Sequence, residues 1–460
     1  MTQLPGSDQK SNAITWDVTL TEADRYPLMT DRGRAYLRAL REHPHAPDFN
    51  HQCGDRLDAA AIERIRRWER EVVPQTARWR ADEPPAWVRD LAAYCYAQVP
   101  FHRRHGALPA RFTDIPPCAR GDLADDITAF VPDDVALDDL IFYITTGTTG
   151  HPVSLPWTPE SASRYLPLLR KAARAFGAGL SDGPDRVAIA LVCDQVSTFT
   201  LAQLSFYLEG AGHVKLNLRA DAWRQPGDRV AYLDSLNPEI YTGDPISFET
   251  LAGLPLRTRP RALISSSMTL LPGLRARLEQ RFGCPVIDLY STNESGPIAY
   301  RAPDDARAWT LLQPRLYVEI LDGAGRPCPP GARGDVVVSG GFNPLLPLLR
   351  YRIGDTASMD FGPLGDQPRL LDLEGRAPVL FAAPDGHLIN NIEVTHALAS
   401  LHLTQWALHQ ASDGSLSLRY RGGVDETALR GRIEAAFGGP VALTITRVDD
   451  LGKTRQYTRD

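Results

Sequence analysis

Short apolar segments alternate with helical segments along the middle of this chain, and this alternation restricts the fold more than any other feature. Between about residues 140 and 350, the runs 187–192 and 262–264 look like buried strands, and 272–282 has a helical pattern. Strand–helix–strand units of this kind predict an α/β protein with a largely parallel sheet. With 460 residues the chain exceeds one ordinary hydrophobic core, so two or three domains are expected.

The expected division is a large N-terminal domain over residues 1–375 and a small C-terminal domain over residues 376–460. The large domain should contain mainly parallel sheets with flanking helices. Its first 90 residues are rich in Arg, Glu and Asp at helical spacing and predict a helical lead-in, so the α/β core spans 91–375. The last part predicts an α+β unit with these elements: helix 392–401, strands 405–410 and 415–421, helix 426–437 and strand 441–448.

Composition excludes several classes of partner. The net charge of −6 argues against a nucleic acid or a bilayer as the main partner. Residues 1–16 are polar and lack the apolar core of a signal peptide, and no apolar run approaches the ~20 residues of a membrane span. The expected compartment is therefore the cytoplasm, and the expected state is a monomer or homodimer. The six cysteines form no CxxC pair, which favours reduced structural thiols and no zinc site.

One loop has the composition of a polyphosphate-binding turn. Residues 143–152 place Gly147 and Gly150 among four threonines, directly after the apolar run 140–144, which is predicted as a buried strand. Glycines let the backbone approach a ligand closely, and successive inward N–H groups form an anion-binding nest. The loop lacks the Gly-Lys-Ser/Thr of a Walker motif. On composition alone, an ordinary polar surface turn is an equal alternative.

Four later segments supply the context for this loop. Tyr290-Ser291-Thr292-Asn293-Glu294-Ser295-Gly296 follows the apolar run 285–289, Arg350-Tyr351-Arg352-Ile353-Gly354-Asp355 precedes Gly375-Arg376, and Gly452-Lys453-Thr454-Arg455 lies near the C-terminus. In this order the chain resembles the adenylate-forming superfamily of acyl-CoA synthetases, carrier-loading adenylation domains and luciferases. The segment 91–102 resembles the phenylacetate-CoA ligase-like branch.

Lysine usage singles out Lys453. Only four of the 50 Lys and Arg residues are lysines, so this chain generally uses arginine for positive charge. A compact ammonium fits between two oxygens where a planar guanidinium does not. A solvated tail lysine is the alternative, and the other motifs favour the catalytic interpretation.

The resemblance implies ATP, Mg²⁺ and an acyl acceptor, either coenzyme A or phosphopantetheine. Lys453 would bridge the substrate carboxylate and the α-phosphate, and Glu294 would hold Mg²⁺. The small C-terminal domain would be a mobile lid that carries Lys453. The implied phosphate-loop residues are Thr145, Thr146, Gly147, Thr148, Thr149 and Gly150.

The resemblance also implies a nucleotide pocket. Tyr290 would pack on adenine, Ser265 and Ser266 would line that pocket, and Asp355 would accept from both ribose hydroxyls with Arg376 nearby. Each has a structural alternative: Asp355 as a turn residue, Arg376 as a surface cation, and Glu294 as a helix cap.

Two positions depart from the family pattern. Asn293 stands where the family has Thr or Ser, although its amide can still donate to a phosphate. Pro378 stands at the usual Asp or Lys hinge, and proline fixes φ near −65°. We expect a displaced hinge, or a thioester-forming step that is slow, altered or absent.

The acyl substrate is the least determined part of the site. The segment with Asp194, Phe199 and Phe206 falls where the family builds its acyl pocket, and its aromatic residues suggest a flat or apolar acid. Asp194 could instead hold the amine of an amino acid, and the alternatives to that role are a solvated or a helix-capping aspartate. The implied reaction joins a small carboxylic acid to coenzyme A. The alternatives are loading of an amino or aryl acid onto a carrier protein and a non-catalytic adenylate-binding protein.

Overall fold

A computed structural model describes residues 20–448 and 456–460, apart from 82, 146–152, 197, 306, 375–378, 400 and 402. The helices are α1 Glu22–Arg25, α2 Asp31–Arg41, α3 Ala59–Glu71, α4 Ala86–Gln98, α5 Pro100–Arg103, α6 Arg120–Asp125, α7 Pro159–Ser163, α8 Tyr165–Ala175, α9 Asp228–Leu236, α10 Pro245–Gly253, α11 Pro272–Phe282, α12 Asn391–Ala399 and α13 Glu426–Ala436. Short 3-10 helices are Phe112–Asp114, Ile127–Phe130 and Ala220–Ala222.

The strands are β1 Cys118–Ala119, β2 Ile141–Thr145, β3 Val153–Trp157, β4 Val187–Cys193, β5 Leu201–Ser205, β6 Ala211–Asn217, β7 Ile240–Gly243, β8 Ala262–Ser265, β9 Val286–Thr292, β10 Gly296–Arg301, β11 Ala308–Leu311, β12 Leu316–Leu321, β13 Gly334–Gly340, β14 Leu348–Asp360, β15 Arg369–Glu374, β16 Leu380–Ala382, β17 Leu388–Asn390, β18 Leu403–Gln410, β19 Leu416–Gly422, β20 Leu443–Arg447 and β21 Tyr457–Arg459.

One half of the large sheet is parallel and covered on both faces. Its strand order is β6-β4-β7-β8-β9, and β5 adds an antiparallel edge. Helices α3 and α8 pack on one face, and α9, α10 and α11 pack on the other. Strands buried on both faces are near-continuous apolar runs, which is why the sequence pattern identified them. The α/β class is confirmed.

The other half of the same sheet is antiparallel. From β9 the order continues through β10, β11, β15, β14, β13 and β12. The alternation of segments did not predict this half. Residues 293–295, which join β9 to β10, are far too few for the helical crossover that a parallel connection needs, so the chain turns back as a hairpin.

The strand predicted before the threonine-rich loop is confirmed, but the prediction that it is buried is wrong. Among the described residues β2 pairs with β3 alone, in a two-stranded antiparallel sheet outside the large sheet. The side chains of Phe142 and Tyr143 are 40% and 46% exposed. An apolar run identifies a strand, but the number of faces that are covered depends on its neighbours in space.

The C-terminal residues form a separate four-stranded sheet. Its order is β20-β19-β18-β21, and α12 and α13 share its apolar cluster. The predicted elements agree to within a few residues, whereas β21 was not predicted. The proposed boundary between residues 375 and 376 lies outside the described part of the chain. No helix in the described part is long and apolar enough to cross a membrane.

A buried ion pair holds the antiparallel half together. Arg350 on β14 is 1% exposed, and its Nε and Nη2 each lie 3.3 Å from the carboxylate of Glu319 on β12. Its Nη1 also donates to the carbonyls of Thr113 and Ile115, at 2.8 and 2.6 Å. The guanidinium therefore connects two strands to the segment before β1.

We expect Arg350→Met to lower the free energy of unfolding by about 3–5 kcal/mol, because it leaves the Glu319 carboxylate buried without a counter-charge. The double variant Arg350→Met/Glu319→Met should recover much of that loss. Arg352→Met is the matched control, since Arg352 is a more exposed arginine on the same strand, paired with Asp335. Urea unfolding measures all three variants. Equal losses of unfolding free energy in Arg350→Met and Arg352→Met would contradict the stabilising role of the buried Arg350–Glu319 pair.

Candidate active site

The parallel strands end at one edge of the large sheet, and most of the described site residues follow those ends. β4 ends at Cys193, just before Asp194, and β8 ends at Ser265. The last residues of β9 begin the Tyr290–Gly296 motif. Ligands of open parallel sheets bind in the crevice beyond these carboxyl ends. The fold therefore brings together three segments that are far apart in sequence.

Tyr290 and Asp355 meet directly. The Tyr290 hydroxyl donates to Asp355 Oδ2 at 2.8 Å, which connects β9 to β14 across the crevice. Tyr290 is 8% exposed, and its ring centroid lies 6.3 Å from that of Trp309, at 69°. Asp355 is only half-buried, so its carboxylate can still accept from a ligand. The aromatic ring and the carboxylate have the chemistry to bind a base and a ribose.

Glu294 lies in the hairpin turn between β9 and β10. Its Oε1 accepts from Arg120 Nη1 at 2.6 Å and from the Tyr351 hydroxyl at 3.1 Å. Glu294 is 5% exposed, and burial together with this carboxylate raises the pKa of Tyr351 well above its usual value. Both contacts use Oε1, and the described residues make no hydrogen bond to Oε2. The neighbouring Asn293 is exposed.

Ser265 and Ser266 lie at the end of β8. The Ser265 side chain is fully buried, and its Oγ has no hydrogen-bond partner among the described residues. The Ser266 N–H donates to the Gly243 carbonyl at 3.0 Å. Ser265 pairs in register with Asp288, whose pKa burial raises to about 6 although Arg301 Nε lies 3.0 Å away. This corner is therefore polar and well enclosed.

Asp194 is tied to helix α10. Its Oδ2 accepts from Thr250 Oγ1 at 2.5 Å, and its backbone N–H donates to Ser247 Oγ at 3.1 Å. Both partners belong to the helix that begins at Pro245. This contact supports a structural role for the carboxylate, and the side chain remains half-buried.

Phe199 and Phe206 lie at opposite ends of the β5–β6 hairpin. Phe199 precedes β5 and is 44% exposed, with the Lys215 ammonium 3.3 Å from its ring centroid. Phe206 lies in the far turn, where its N–H donates to Asp55 Oδ2 at 2.5 Å and its ring packs on Tyr26. Five residues of β5 separate them, about 17 Å of strand. The structure keeps Phe199 close to Asp194 in the same loop and places Phe206 elsewhere.

Several predicted site residues lie outside the described part of the chain. Of the predicted phosphate-loop residues, Thr145 is described, as the last residue of β2. The predicted site residues outside the described part are Thr146, Gly147, Thr148, Thr149, Gly150, Arg376 and Lys453.

A C-terminal helix contacts the loop that carries Asp194 and Phe199. Glu393, in the first turn of α12, accepts the Asn390 N–H at 3.2 Å with Oε1 and the Val196 N–H with Oε2. The first contact is half of a capping box. The second joins residues 376–460 to the predicted acyl loop. Burial raises the pKa of Glu393 to about 7, against the lowering effect of these two N–H groups.

Sequence reasoning missed the partners of the predicted residues. Arg120 and Tyr351 on Glu294, and Glu393 on Val196, come from segments 57 to 197 residues away in sequence. Tyr351 lies within a motif that the sequence singled out, whereas no sequence pattern marks Arg120.

Comparison with known proteins gives a family. The model of the AMP-binding enzyme family matches residues 66–343. The chain is 24% identical over 245 residues to a phenylacetate-coenzyme A ligase of Pseudomonas putida, covering 51% of this chain and 54% of that protein. It is 22% identical over 308 residues to the phenylacetate-coenzyme A ligase of Aromatoleum evansii, covering 62% and 67%. The match with the first relative therefore spans about half of its length.

A solved structure has the same fold. The chain is similar to 2-hydroxyisobutyryl-CoA ligase in complex with 2-HIB-AMP and CoA, with a TM-score of 0.52 and 20% identity. The match covers 81% of this chain and 88% of that chain. The superfamily and the branch that the motifs predicted are confirmed.

The Glu393 contact should depend on pH. The carboxylate has a folded-state pKa of about 7, above its usual value of 4.5, so its contribution to stability is fully present below pH 4.5 and is lost as pH rises through 7. Relative to Glu393→Gln, which does not titrate, the wild type should lose up to about 3 kcal/mol over that range. Thermal unfolding of both proteins at pH 5, 6, 7 and 8 measures the difference. If the stability of both proteins changed equally with pH, the raised pKa of Glu393 would be contradicted.

Proposed function

The chain belongs to the AMP-binding enzyme family, and we propose that it activates a carboxylic acid as an acyl-adenylate and transfers the acyl group to coenzyme A. The observation that carries this proposal is the Tyr290–Asp355 contact at the end of the parallel strands. It joins the two motifs that the family uses for the adenosine part of ATP. The phenylacetate- and 2-hydroxyisobutyryl-CoA ligases that the chain resembles support the choice of acceptor.

In the first step a carboxylate oxygen forms a bond to the α-phosphorus of ATP, and pyrophosphate leaves. Two anions approach each other in this step, so the site must hold them in line and neutralise developing charge. In the proposed arrangement, N–H groups and hydroxyls of residues 145–150 hold the departing pyrophosphate. The Lys453 ammonium bridges the acid and the α-phosphate. Asp355, with Arg376, accepts from the ribose hydroxyls, while Tyr290 packs on adenine.

Glu294 is the residue we propose for Mg²⁺. Carboxylate oxygens are preferred ligands of this hard cation. The chain fits this role because Arg120 and Tyr351 both bind Oε1 of Glu294, and neither occupies Oε2. When bound, Mg²⁺ would supply neutralisation of phosphate charge. Arg120 supplies a positive charge beside the buried carboxylate and fixes its orientation.

The second step releases AMP as the acceptor sulfur takes the acyl group. In this family the C-terminal domain is expected to rotate between the two steps, and we propose that residues 376–460 form this lid. The Glu393–Val196 contact supports the proposal, because it places the C-terminal unit on the predicted acyl loop. We further propose that the enzyme works in the cytoplasm as a monomer or homodimer.

Carboxylate-dependent exchange between ATP and pyrophosphate tests adenylation. Exchange should appear with one class in a panel of aryl, fatty and amino acids. Lys453→Ala should reduce its rate by roughly 10²–10³-fold, because it removes charge stabilisation of the transition state. Lys10→Ala, which removes a lysine outside every motif, is the matched control. Absence of exchange with every acid would favour a non-catalytic adenylate-binding protein.

The exchange panel also separates the alternative acyl substrates and acceptors. Exchange with amino acids alone would favour loading of a carrier-protein phosphopantetheine and a role for Asp194 in binding the amine. The Thr250 and Ser247 contacts of Asp194 favour the structural role instead.

Pro378 should slow the second step, because a proline at the hinge restricts rotation about its φ. We expect Pro378→Asp to raise the single-turnover rate of thioester formation from preformed adenylate and coenzyme A by about tenfold, or 1.4 kcal/mol of activation free energy. Exchange of ATP with pyrophosphate should not change in this variant. Identical thioester rates in wild type and variant would show that the hinge lies elsewhere.

A further inference from the structure

One face of the parallel sheet has a row of side chains that are half-buried, although helices cover most of that face. Lys215 on β6 pairs in register with Leu191 on β4, and Leu191 pairs with Thr242 on β7. Directly paired residues point to the same face of a sheet. All three are half-buried, although most of the residues beside them on these strands are buried. Gln203 and His213, paired in a neighbouring row on the same face, are half-buried as well. Solvent therefore reaches this face at both rows, and we call this part of the surface the Lys215 crevice, lined by Leu191, Gln203, His213, Lys215 and Thr242.

The Lys215 ammonium faces this crevice without an anionic partner. It lies 3.3 Å from the Phe199 ring centroid, and no carboxylate of the described residues lies within ion-pair distance of it. The aromatic face attracts the cation but does not neutralise its charge. Lys171 is a useful contrast, because its ammonium donates to the carbonyls of Gln75 and Leu312, both at 2.9 Å. A half-buried lysine of this chain can therefore find hydrogen-bond acceptors within the protein, whereas Lys215 has none among the described residues.

A second donor lies beside Lys215 on the same strand. Cys53 Sγ lies 3.0 Å from Gln203 Oε1, so the thiol donates and the amide is oriented with Nε2 towards His213. Gln203 Nε2 lies 3.4 Å from His213 Nδ1. Burial lowers the pKa of His213 to about 4, so the imidazole is neutral near pH 7. Nδ1 then accepts from Gln203, which leaves the ring proton on Nε2 as a donor.

We propose that the Lys215 crevice binds a second carboxylate of the acid, at the end remote from the carboxyl group that is activated. Lys215 and His213 offer N–H donors two residues apart on one face of β6. Leu191, paired with Lys215, and the Phe199 ring at the Lys215 ammonium add apolar surface. The loop 194–200 at its mouth is the predicted acyl segment. The inference rests on the proposed function for the identity of the first carboxylate. It makes a dicarboxylic acid the preferred substrate class and excludes an amino acid whose ammonium would face Lys215.

Matched pairs of acids test this inference. The probes are 4-carboxyphenylacetate with phenylacetate, and adipate with hexanoate, and isothermal titration calorimetry measures their binding without turnover. Wild type should bind at least one diacid about 10- to 100-fold more tightly than its monoacid, the contribution of one hydrogen bond to a buried charged group. Lys215→Met should reduce that ratio to about one. Lys215→Arg, which keeps the cation, should retain part of the preference.

Lys171→Met controls for the loss of a buried lysine and should leave the ratio unchanged. Equal binding of diacids and monoacids by the wild type, an unchanged ratio in Lys215→Met, or no detectable binding of either diacid would overturn the inference. The same acids are then tested for ATP–pyrophosphate exchange. Exchange with monoacids only would leave the proposed function intact and overturn the second-carboxylate site. Diacid binding that depends on Lys215, without ATP–pyrophosphate exchange for any acid, would support the second-carboxylate site and contradict the proposed function.

Discussion

The hairpin between β9 and β10 is the constraint on which the site depends. It joins the parallel half of the large sheet to the antiparallel half, so the strand that ends at the crevice and the strands that carry Asp355 belong to one hydrogen-bonded surface. Gly296 has a φ of +72°, and an added Cβ would lie 2.6 Å from Phe342 Cζ. Only glycine combines that backbone with that approach. The turn then places Glu294 in a buried position. Tyr290 lies earlier on β9, where its hydroxyl donates to Asp355. The motif is therefore both a structural junction and the centre of the proposed nucleotide site.

Arginine compensates the buried carboxylates around this junction. Glu294 is paired with Arg120, Asp288 with Arg301, and Glu319 with Arg350. An isolated buried carboxylate would be expensive, whereas a planar guanidinium can bind two oxygens and still donate to backbone carbonyls. Arg350 does both. In these three pairs arginine is the residue that accompanies a buried carboxylate. Lys171 differs, because its ammonium donates to a pair of backbone carbonyls.

One loop contacts both the proposed acyl site and the C-terminal unit. Residues 194–200 begin at the tip of β4, anchor to α10 through Asp194, and end at Phe199 against Lys215. The same loop receives Glu393 from the C-terminal helix α12. A substrate in the proposed Lys215 crevice would therefore lie beside the loop that contacts the C-terminal unit. Acyl binding and movement of the proposed lid would then both act on the backbone of this short segment.

The sequence by itself determined the class of fold and the identity of the chemical groups. Runs such as 187–192 are apolar because both faces of their strands are covered. The motifs at 290–296 and 350–355 identify Tyr290, Glu294 and Asp355 as candidate site residues from the sequence alone. Local patterns carry this information because strand period and turn chemistry are local properties. Only the tertiary structure decided that β2 lies outside the large sheet, that the chain turns back after β9, and that Arg120 is the partner of Glu294. It also decided that Phe206 lies away from Phe199 and that Lys215 is half-buried against the Phe199 ring. These facts depend on which distant segments become neighbours, and residues 174 positions apart leave no periodic signal of their contact.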